Sequence, residues 1–500
     1  MKFIKFFGIL IPLLSLLMIL QSCKESGKQP NIVFFFVDDM GWQDTSVPFY
    51  HEKTTLNDSY YTPNMEKLAS AGMKFTQAYA YAVCSPSRVS LMTGMNGARH
   101  QVTNWTLRKG VSPDPKNRKI EPPQWNMNGL CIDCEEELTI KTTTLPMLLK
   151  NAGYKTIHVG KAHFGAKGTP GENPLNLGFD INIAGHAAGG PGSYLGKYNF
   201  SAEWRNGDRI WDVTGLEHYH GQDIFLTEAL TIEAIKAIDV ALQEKKPFYL
   251  YMSHYAIHAP WEVDDRYYQK YKDKGLSDFD ATYAAMIEGM DKSLGDLVNY
   301  LETKGVIDNT LIVFMSDNGQ PSQAALNKPL RGHKLTPYEG GVRVPLIVRW
   351  NGIVKPGITN SEDYLMIDDI FPTFLEAAGL NQEKGDFISF DGISFLPLLK
   401  GNHSPIENRP LFWHFPHTYD QFPYSSIRKG DWKLIYHHTD QSFELFNLQE
   451  DISESNNQVS KKPELADELA KELSIFLKET NAGMPVDIES GNIIPYPDEI

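Results

Sequence analysis

The chain has 500 residues, of which 42% are hydrophobic and 12% aromatic, enough for one large core and a smaller appended domain. Its formal net charge of -15 argues against nucleic acid as a partner. Any anionic substrate would have to be held by local cations and a metal rather than by the overall field of the protein.

The first 22 residues have the pattern of an export signal. Lys2 and Lys5 precede an apolar run over residues 6–20, which is too short for a comfortable membrane span. Residues 20–23, L-Q-S-C, resemble a bacterial lipobox, so we expect a lipid on Cys23; because Gln21 is not the favoured residue there, ordinary signal cleavage nearby is the alternative. We expect a linker over residues 23–29 and an exported protein of the cell envelope, in the periplasm or on the outer membrane, attached only through this lipid anchor.

Four continuous apolar runs of strand length follow, over residues 31–37, 154–159, 247–253 and 310–316. Runs that are apolar throughout are typical of parallel strands covered on both faces. Helical patterns lie at residues 65–72, 142–152, 223–243 and 281–304. This alternation predicts a doubly wound α/β domain over residues 30–384, with a mostly parallel central sheet and ligands at the carboxyl ends of its strands.

The pattern changes near residue 385. Residues 409–413, 426–436 and 443–448 predict short strands joined by turns, and residues 463–480 predict a helix. We therefore predict a smaller C-terminal α+β domain over residues 385–500.

Carboxylates and an amide follow two of the predicted strands. Asp38 and Asp39 end the first run, and Asp317 and Asn318 end the fourth. Adjacent carboxylates at the end of a buried strand are costly unless a cation holds them. Hard oxygen ligands of this kind suit Ca²⁺, with Mg²⁺ as the second choice. Taken alone, Asp317 and Asn318 would fit a turn equally well.

The sequence C-S-P-S-R occupies residues 84–88 and continues into V-S-L-M-T-G. Pro86 suits the first turn of a helix and Gly94 suits its end. Cys84 would then lie at a helix N-terminus, where backbone N–H groups favour an anion, with Arg88 one turn further on. For a lone cysteine, a buried free thiol beside a structural arginine would be the better interpretation.

The run C-x-P-x-R followed by L-M-T-G resembles the signature of the formylglycine-dependent sulfatases of the alkaline phosphatase superfamily, here of a bacterial exported lipoprotein type. In that family a separate formylglycine-generating enzyme oxidises the cysteine to an aldehyde, whose hydrate is the nucleophile. One hydroxyl of the hydrate attacks sulfur and expels the alcohol, and the second collapses back to the aldehyde and releases sulfate. The resemblance implies that Cys84 is modified in this way and that Arg88 belongs to the same site.

Residues 160–165, G-K-A-H-F-G, resemble the family's G-K-W-H-x-G, with Ala162 in place of the tryptophan. The resemblance implies that His163 deprotonates the second hydroxyl and that Lys161 binds the developing anion. His254 and His258 both follow the third apolar run and compete for the role of leaving-group acid. Because the family segment ends in H-x-P, which residues 258–260 match, we assign that role to His258 and a supporting position to His254.

Residues 331–345 resemble the family's R-G-x-K-x-T-x-x-E-G-G-x-R-x-P block, so Lys334 carries over as a second lysine on the sulfate. Glu339 and Arg343 in the same block are assigned to holding the fold. In the family one divalent metal, here expected to be Ca²⁺, acidifies the hydrate and binds sulfate oxygen. Its ligands would be Asp38, Asp39, Asp317, Asn318 and the formylglycine at Cys84. The resemblance extends from about residue 30 to residue 482 and includes residues 426–435.

The resemblance implies a sulfatase that hydrolyses sulfate esters, which for an exported bacterial enzyme we expect to be sulfated polysaccharides or oligosaccharides. A phosphonate or phosphate diester hydrolase with the same nucleophile is the alternative. A non-catalytic glycan-binding protein would be favoured by loss of a site residue, and none is lost. We expect residues 185–194 and 413–417 to wall the pocket and Cys131 and Cys134 to have a structural role, with a local disulfide as one form.

Overall fold

The computed structural model describes residues 29–117, 119–324, 328–380 and 390–500. The predicted export signal, the lipobox and the predicted boundary between residues 384 and 385 lie outside the described residues. Across the described ranges, we find no helix with both the length and the apolar character needed to cross a bilayer.

The described strands form one large sheet and three small ones. In chain order they are β1 (Asn31–Val37), β2 (Met73–Tyr79), β3 (Ile120–Glu121), β4 (Gly129–Cys131), β5 (Thr139–Lys141), β6 (Lys155–Gly160), β7 (Ile181–Ile183), β8 (Phe248–Ser253), β9 (Thr310–Ser316), β10 (Arg343–Arg349), β11 (Ile358–Asn360), β12 (Leu365–Met366), β13 (Leu411–Phe415), β14 (Tyr424–Lys429), β15 (Trp432–His437), β16 (Phe443–Asn447) and β17 (Val486–Asp487).

The described helices connect these strands. In chain order they are α1 (Thr55–Ser59), α2 (Pro63–Ala71), α3 (Cys84–Thr93), α4 (Gly97–His100), α5 (Leu145–Asn151), α6 (Leu226–Gln243), α7 (Tyr268–Asp273), α8 (Asp278–Thr303), α9 (Glu339–Val342), α10 (Ile370–Ala377), α11 (Leu396–Leu399) and α12 (Pro463–Glu479).

The central sheet has the order β11-β2-β10-β9-β1-β8-β6-β7, with β12 paired to β2. Strand β1 is parallel to both of its neighbours, β8 and β9, and the pairs β8–β6 and β6–β7 are parallel as well. Strand β10 runs antiparallel to β9 and to β2. The sheet is therefore mostly parallel, and the predicted α/β class is confirmed.

Both faces of the central sheet are covered, which explains why its strands are apolar throughout. In β1, Phe34 and Phe36 point into a core shared with α3, α5 and α10, whereas Val33 and Phe35 point into a core shared with α2, α6 and α8. All seven residues of β1 are buried. The polar residues that follow such a strand are consequently held at one fixed edge of the sheet.

The C-terminal part is a four-stranded antiparallel sheet in the order β13-β14-β15-β16. One face contributes Trp413, Phe415 and Ile435 to the core of the central sheet. The other face packs Ile427 and Leu434 against α12. This sheet therefore shares a hydrophobic core with the central sheet.

Gln29, the first described residue, lies at the edge of the central sheet opposite to the strand ends that carry Asp38 and Asp317. The Gln29 side chain donates to the backbone oxygens of Ala152 (3.4 Å) and Ala378 (3.2 Å), and Asn309 donates to the Gln29 oxygen (3.0 Å). Ala152 and Asn309 lie just before β6 and β9, so this point is at the amino ends of the parallel strands.

Candidate active site

The carboxyl ends of β1, β6, β8 and β9 bring the predicted residues together around the start of α3. Val83 is extended, Pro86 lies in the first turn, and Gly94 ends the helix in a left-handed conformation with its N–H donating to the Ser90 oxygen. The Ser87 hydroxyl donates to the Asp317 backbone oxygen (2.5 Å), which ties α3 to the end of β9. Cys84 is thereby fixed as the first residue of a buried helix.

Four predicted ligands form one compact group. Ligand atoms of Asp38, Asp39, Cys84 and Asp317 all lie within 4.8 Å of one another, and all four residues are buried. The Asn318 amide donates to Asp39 Oδ1 (2.8 Å), while its own Oδ1 is buried with no hydrogen-bond partner among the described residues. A buried oxygen without a donor beside three carboxylates is the arrangement that a hard cation satisfies, so the residues fit a divalent metal.

The charges of these carboxylates are in conflict without a cation. Burial and the neighbouring Asp317 raise the pKa of Asp38 well above its ordinary value. Burial also opposes ionisation of Asp39, but the ammonium of Lys334 holds its pKa below the ordinary range. In the same way, the guanidinium of Arg88 holds the pKa of the buried Asp317 below the ordinary range. A divalent ion would allow all three carboxylates to be charged together.

Two lysines and Arg88 surround the group. Lys161 Nζ lies 2.6 Å from Asp38 Oδ2, and Lys334 Nζ lies 2.6 Å from Asp39 Oδ1 and 3.2 Å from Cys84 Sγ. Arg88 donates to Asp317 Oδ2 through Nε (3.0 Å) and Nη2 (2.8 Å) and to the Ser253 hydroxyl (2.7 Å). Arg88 is fully buried behind Asp317, so it orients a ligand residue, whereas the two lysines flank Cys84.

The thiol of Cys84 is poorly suited to act by itself. Burial raises its pKa to about 12; the ammonium groups of Lys161 and Lys334 oppose this shift, and the carboxylates of Asp317 and Asp38 add to it. Since the thiolate is the reactive form of cysteine, an unmodified Cys84 is a weak nucleophile at neutral pH.

His163 follows β6 and is held as a neutral proton acceptor. Its Nε2 donates to the Thr106 backbone oxygen (2.7 Å), so Nδ1 carries the lone pair, and Nδ1 is buried with no hydrogen-bond partner among the described residues. Burial and the neighbouring ammonium of Lys161 lower the pKa of His163 well below its ordinary value.

His258 faces the pocket, and His254 does not. His258 donates from Nδ1 to the Ala259 oxygen (2.7 Å), which leaves Nε2 3.9 Å from Asp39 Oδ2. Burial lowers its pKa to about 4, while Asp39 favours the protonated ring. His254 is fully buried, with Nε2 at 2.9 Å from the Ser293 hydroxyl and its ring 5.0 Å from Phe35.

Two glycines in the predicted wall loop allow both histidines to lie where they do. A Cβ on Gly189 would fall 2.4 Å from His163 Cε1, and a Cβ on Gly190 would fall 2.7 Å from His258 Nδ1. Any larger residue would displace the rings. Of the loop over residues 185–194, Gly189 lines the pocket, and the absence of side chains at Gly189 and Gly190 leaves room for the two histidine rings.

A pocket of about 340 Å³ opens above Cys84. Its walls include four aromatic side chains that the sequence analysis did not single out, namely Trp105, Trp211, Trp261 and Tyr419, together with Asp420. Residues 413–417, expected at the wall, lie behind it: Trp413 is buried and donates to the Ala80 oxygen (2.9 Å), and His417 is buried as well. Their sequence neighbours Tyr419 and Asp420 reach the pocket instead.

Cys131 and Cys134 are joined in a disulfide and do not line the pocket.

A doubly wound sheet with a carboxylate cluster, two lysines and a helix-borne Cys84 at its strand ends defines an α/β enzyme of the alkaline-phosphatase-like superfamily. Residues 30–380 match the model of the sulfatase family, and residues 333–482 match that of the C-terminal region of N-sulphoglucosamine sulphohydrolase. The chain belongs to the sulfatase family and is a sulfuric ester hydrolase.

Known sulfatases are similar to this protein over most of its length. A sulfatase of Formosa agariphila is 30% identical over 98% of this chain and 96% of its own length. N-acetylgalactosamine-6-sulfatase of Mus musculus is 32% identical over 78% of this chain and 69% of its own. The crystal structure of Ps i-CgsB in complex with k-i-k-neocarrahexaose superposes with a TM-score of 0.72 at 27% identity, covering 91% of this chain and 94% of that one.

Proposed function

We propose that the protein removes sulfate from a sulfated saccharide, with Cys84 matured to formylglycine and a Ca²⁺ ion bound beside it. The observation that carries this proposal is the position of Cys84 within 4.8 Å of three carboxylates, flanked by Lys161 and Lys334. Formylglycine supplies a hydrate that serves both as nucleophile and as the group that expels sulfate. A formylglycine-generating enzyme is the partner that this maturation requires.

The metal would be held by Asp38, Asp39, Asp317, Asn318 and residue 84. When bound, Ca²⁺ lowers the pKa of an attached hydroxyl and withdraws charge from sulfate oxygens. Arg88 keeps Asp317 ionised and aimed at the site through its two bonds to Oδ2. Mg²⁺ is the second choice, because it demands a more regular octahedral shell.

The chain's own residues bind the sulfate and move the protons. Lys161 and Lys334 neutralise the sulfate oxygens on either side of residue 84. His163 accepts a proton at Nδ1, which has no other hydrogen-bond partner among the described residues. His258 would deliver a proton from Nε2 to the leaving oxygen after its ring is protonated. Burial lowers the pKa of this ring to about 4, whereas Asp39 at 3.9 Å and a bound sulfate ester both favour the charged form.

A saccharide is the substrate class that the pocket and the relatives favour. Half-buried tryptophan and tyrosine faces line the pocket, and such faces stack on the C–H surfaces of sugar rings. The relative from Mus musculus is named for N-acetylgalactosamine 6-sulfate, and the solved structure carries a neocarrahexaose. The phosphonate or phosphate diester alternative is not favoured, since the reported relatives that are named for an activity are sulfatases.

The maturation is tested by producing the protein with and without a formylglycine-generating enzyme. Mass spectrometry of the peptide that contains Cys84 should show replacement of the thiol by an aldehyde only in the first case. Sulfate release from a panel of sulfated mono- and oligosaccharides should follow the modified fraction. Cys84→Ser should lose turnover, whereas full activity with an unmodified Cys84 would contradict the proposal.

The metal is tested by chelation and by Asn318→Ala, with Asn360→Ala as the matched control outside the site. A ligand at 100 times its Kd stabilises the folded state by about 2.7 kcal/mol, so added Ca²⁺ should raise the melting temperature of the chelated wild type. The rise should be smaller in Asn318→Ala and unchanged in Asn360→Ala. An activity that survives complete chelation would contradict the assignment.

We further propose export to the cell envelope with a lipid on Cys23, on the strength of the L-Q-S-C sequence over residues 20–23. Labelling with a palmitate analogue and membrane fractionation test this directly. Cys23→Ala should release the protein into the soluble fraction if the anchor is real and should change nothing if the signal is cleaved without lipidation.

A further inference from the structure

The pocket has a cationic end at Lys334 and an aromatic end beyond it. At the cationic end, Lys334 is the only lysine among the described lining residues, and none of those residues is an arginine. Its ammonium is already engaged by Asp39 at 2.6 Å and by Cys84 at 3.2 Å. Beyond the sulfate position, the described walls therefore offer no further lysine or arginine to a second anionic group.

At the aromatic end, the side chains that form the walls are fixed by other contacts. Trp105 and Tyr419 meet edge to face with ring centroids 5.4 Å apart. Trp261 packs edge to face on Phe279 at 5.1 Å, and its indole N–H donates to the Ile257 oxygen (3.1 Å). These contacts hold the rings in place before any ligand arrives, as a stacking surface for an uncharged ring requires.

Asp420 adds a negative charge to this end of the pocket. It is exposed, directly follows Tyr419 and lines the pocket beside it. Burial and the charge of Asp420 raise the pKa of the Tyr419 phenol, while Lys334 lowers it, so the phenol lies within reach of both charges. A carboxylate here can accept hydrogen bonds from sugar hydroxyls, but it repels a second sulfate or a carboxylate.

A buried carboxylate holds this segment rigid. Asp114 Oδ1 accepts the backbone N–H groups of Thr418 (2.9 Å) and Tyr419 (3.1 Å), and Oδ2 accepts from His417 Nδ1 (2.8 Å). His417 Nε2 in turn lies 2.7 Å from the Thr103 hydroxyl. The position of Asp420 is therefore set by the fold and not by the ligand.

We propose that the pocket selects sugars that are neutral apart from the sulfate to be removed, and that Asp420 is the specificity residue that excludes a second anionic group. This inference rests on the proposed function and narrows its substrate class. Two unit charges about 6 Å apart in a largely aqueous environment interact by enough to change a rate constant about three- to fivefold. Screening by salt should reduce the discrimination.

The test compares matched pairs of substrates. Each pair consists of a monosulfated hexose or hexosamine and the same sugar with a second sulfate or a carboxylate at C5. For the wild type, we expect kcat/KM to be at least about fivefold higher for the monosulfated member, and this ratio should shrink at high ionic strength. Asp420→Asn should lower the ratio about three- to fivefold, mainly by improving the dianionic member.

Asp467→Asn is the matched control, because it removes the same charge from an exposed position on α12 outside the pocket. It should leave the ratio unchanged. Nitrophenyl sulfate, which lacks a sugar, reports on the sulfate end alone: if the matured enzyme releases no sulfate from it or from any sugar, the proposed function itself fails. If sulfate is released but the dianionic members are preferred, or if Asp420→Asn leaves the ratio unchanged, the inference about Asp420 is overturned.

Discussion

His163 and His258 approach residue 84 with different nitrogens, and this difference assigns them to different steps. The hydrogen bond from His163 Nε2 to Thr106 leaves Nδ1 free, whereas the bond from His258 Nδ1 to Ala259 leaves Nε2 free beside Asp39. Burial lowers the pKa of both rings, but Lys161 keeps His163 neutral and able to accept a proton, whereas Asp39 favours protonation of His258. The first property suits sulfate release and the second suits departure of the alcohol.

His258→Ala should therefore reduce activity in a way that depends on the leaving group. General acid help is worth about 10²–10⁴-fold and matters most when the leaving alcohol is basic. We expect a loss of this size on a sulfated sugar and a much smaller loss on nitrophenyl sulfate, measured as kcat/KM. His163→Ala should impair both substrates, since sulfate release is common to them.

His254→Ala serves as the control for this pair. Its ring bonds to Ser293 inside the core, so the variant should lose stability without any dependence on the leaving group. If His254→Ala shows that dependence and His258→Ala does not, the assignment between the two histidines is wrong.

Gly189 and Gly190 should be as sensitive as the histidines that they touch. Gly190→Ala places a methyl group 2.7 Å from His258 Nδ1, a distance at which the ring must move. We expect it to reproduce the substrate dependence of His258→Ala, and we expect Gly189→Ala to impair both substrates as His163→Ala does. Each variant is the control for the other, and equal effects of both on the two substrates would contradict this interpretation.

At the scale of elements, the loop that carries Thr103, Trp105 and Asp114 clamps the segment 417–420 of the C-terminal region. Asp114→Ala removes the acceptor of three hydrogen bonds from the segment 417–420, each worth about 1 kcal/mol or more because the acceptor is charged. We expect the KM for a sulfated sugar to rise about tenfold or more, since 1.4 kcal/mol is tenfold in binding. The kcat for nitrophenyl sulfate should change much less.

Asp114→Asn separates this positioning role from a general loss of stability. The amide keeps an oxygen for the N–H groups of Thr418 and Tyr419 and should restore much of the KM. Thermal melts of both variants show whether the protein remains folded at the assay temperature. A fall in kcat for both substrates without a change in KM would contradict the proposed role of Asp114 in positioning the segment 417–420.

The elements that could be predicted from sequence are those buried on both faces. Strands β1 and β9 begin and end at the predicted residues, because continuous apolar runs end abruptly in Asp38 and Asp317. Strand β2 was missed, since Lys74 and Gln77 interrupt its apolar pattern. Strand β10 was hidden within the motif over residues 331–345, and residues 426–436 proved to be the hairpin β14–β15, turned at Gly430 and Asp431.

The site residues were predictable for the same reason, and the pocket walls were not. The ends of strands β1, β6 and β9 place Asp38, Lys161 and Asp317 at one edge of the sheet independently of the loop conformations. Trp105, Trp211 and Tyr419 come from loops far apart in the chain. Their meeting depends on contacts such as Asp114 with His417, 303 residues apart, for which no local pattern exists.

At the scale of the whole molecule, a buried ion network joins the C-terminal sheet to the segment that carries Lys334. Lys433 on β15 lies 3.0 Å from Glu339 and 2.9 Å from Glu454, and all three side chains are fully buried. Burial raises the pKa of Glu454 to about 7, opposed by Lys433. Glu339 begins α9, five residues after Lys334, so the network supports the loop that presents this lysine to the sulfate.

Lys433→Met should therefore leave two buried carboxylates without their shared cation. Breaking a buried pair in this way costs about 3–5 kcal/mol, which we expect as a reduced free energy of unfolding in urea. Lys429→Met is the control on β14, because its partner Glu472 is partly exposed and such pairs contribute about 0–1 kcal/mol. Equal losses of unfolding free energy in the two variants would contradict the expectation that the buried network contributes more to stability than the partly exposed pair.

If Cys23 carries the proposed lipid, the place where Gln29 is held would set the direction in which the enzyme faces. Gln29 is fixed at the amino ends of the strands, and β1 then runs seven residues, about 23 Å at 3.3 Å per residue, before it reaches Asp38. The six residue steps from Cys23 to Gln29 can span at most about 22 Å. An enzyme tethered at Cys23 would therefore stand close to the membrane, with its pocket on the side of the sheet that faces away from the lipid surface.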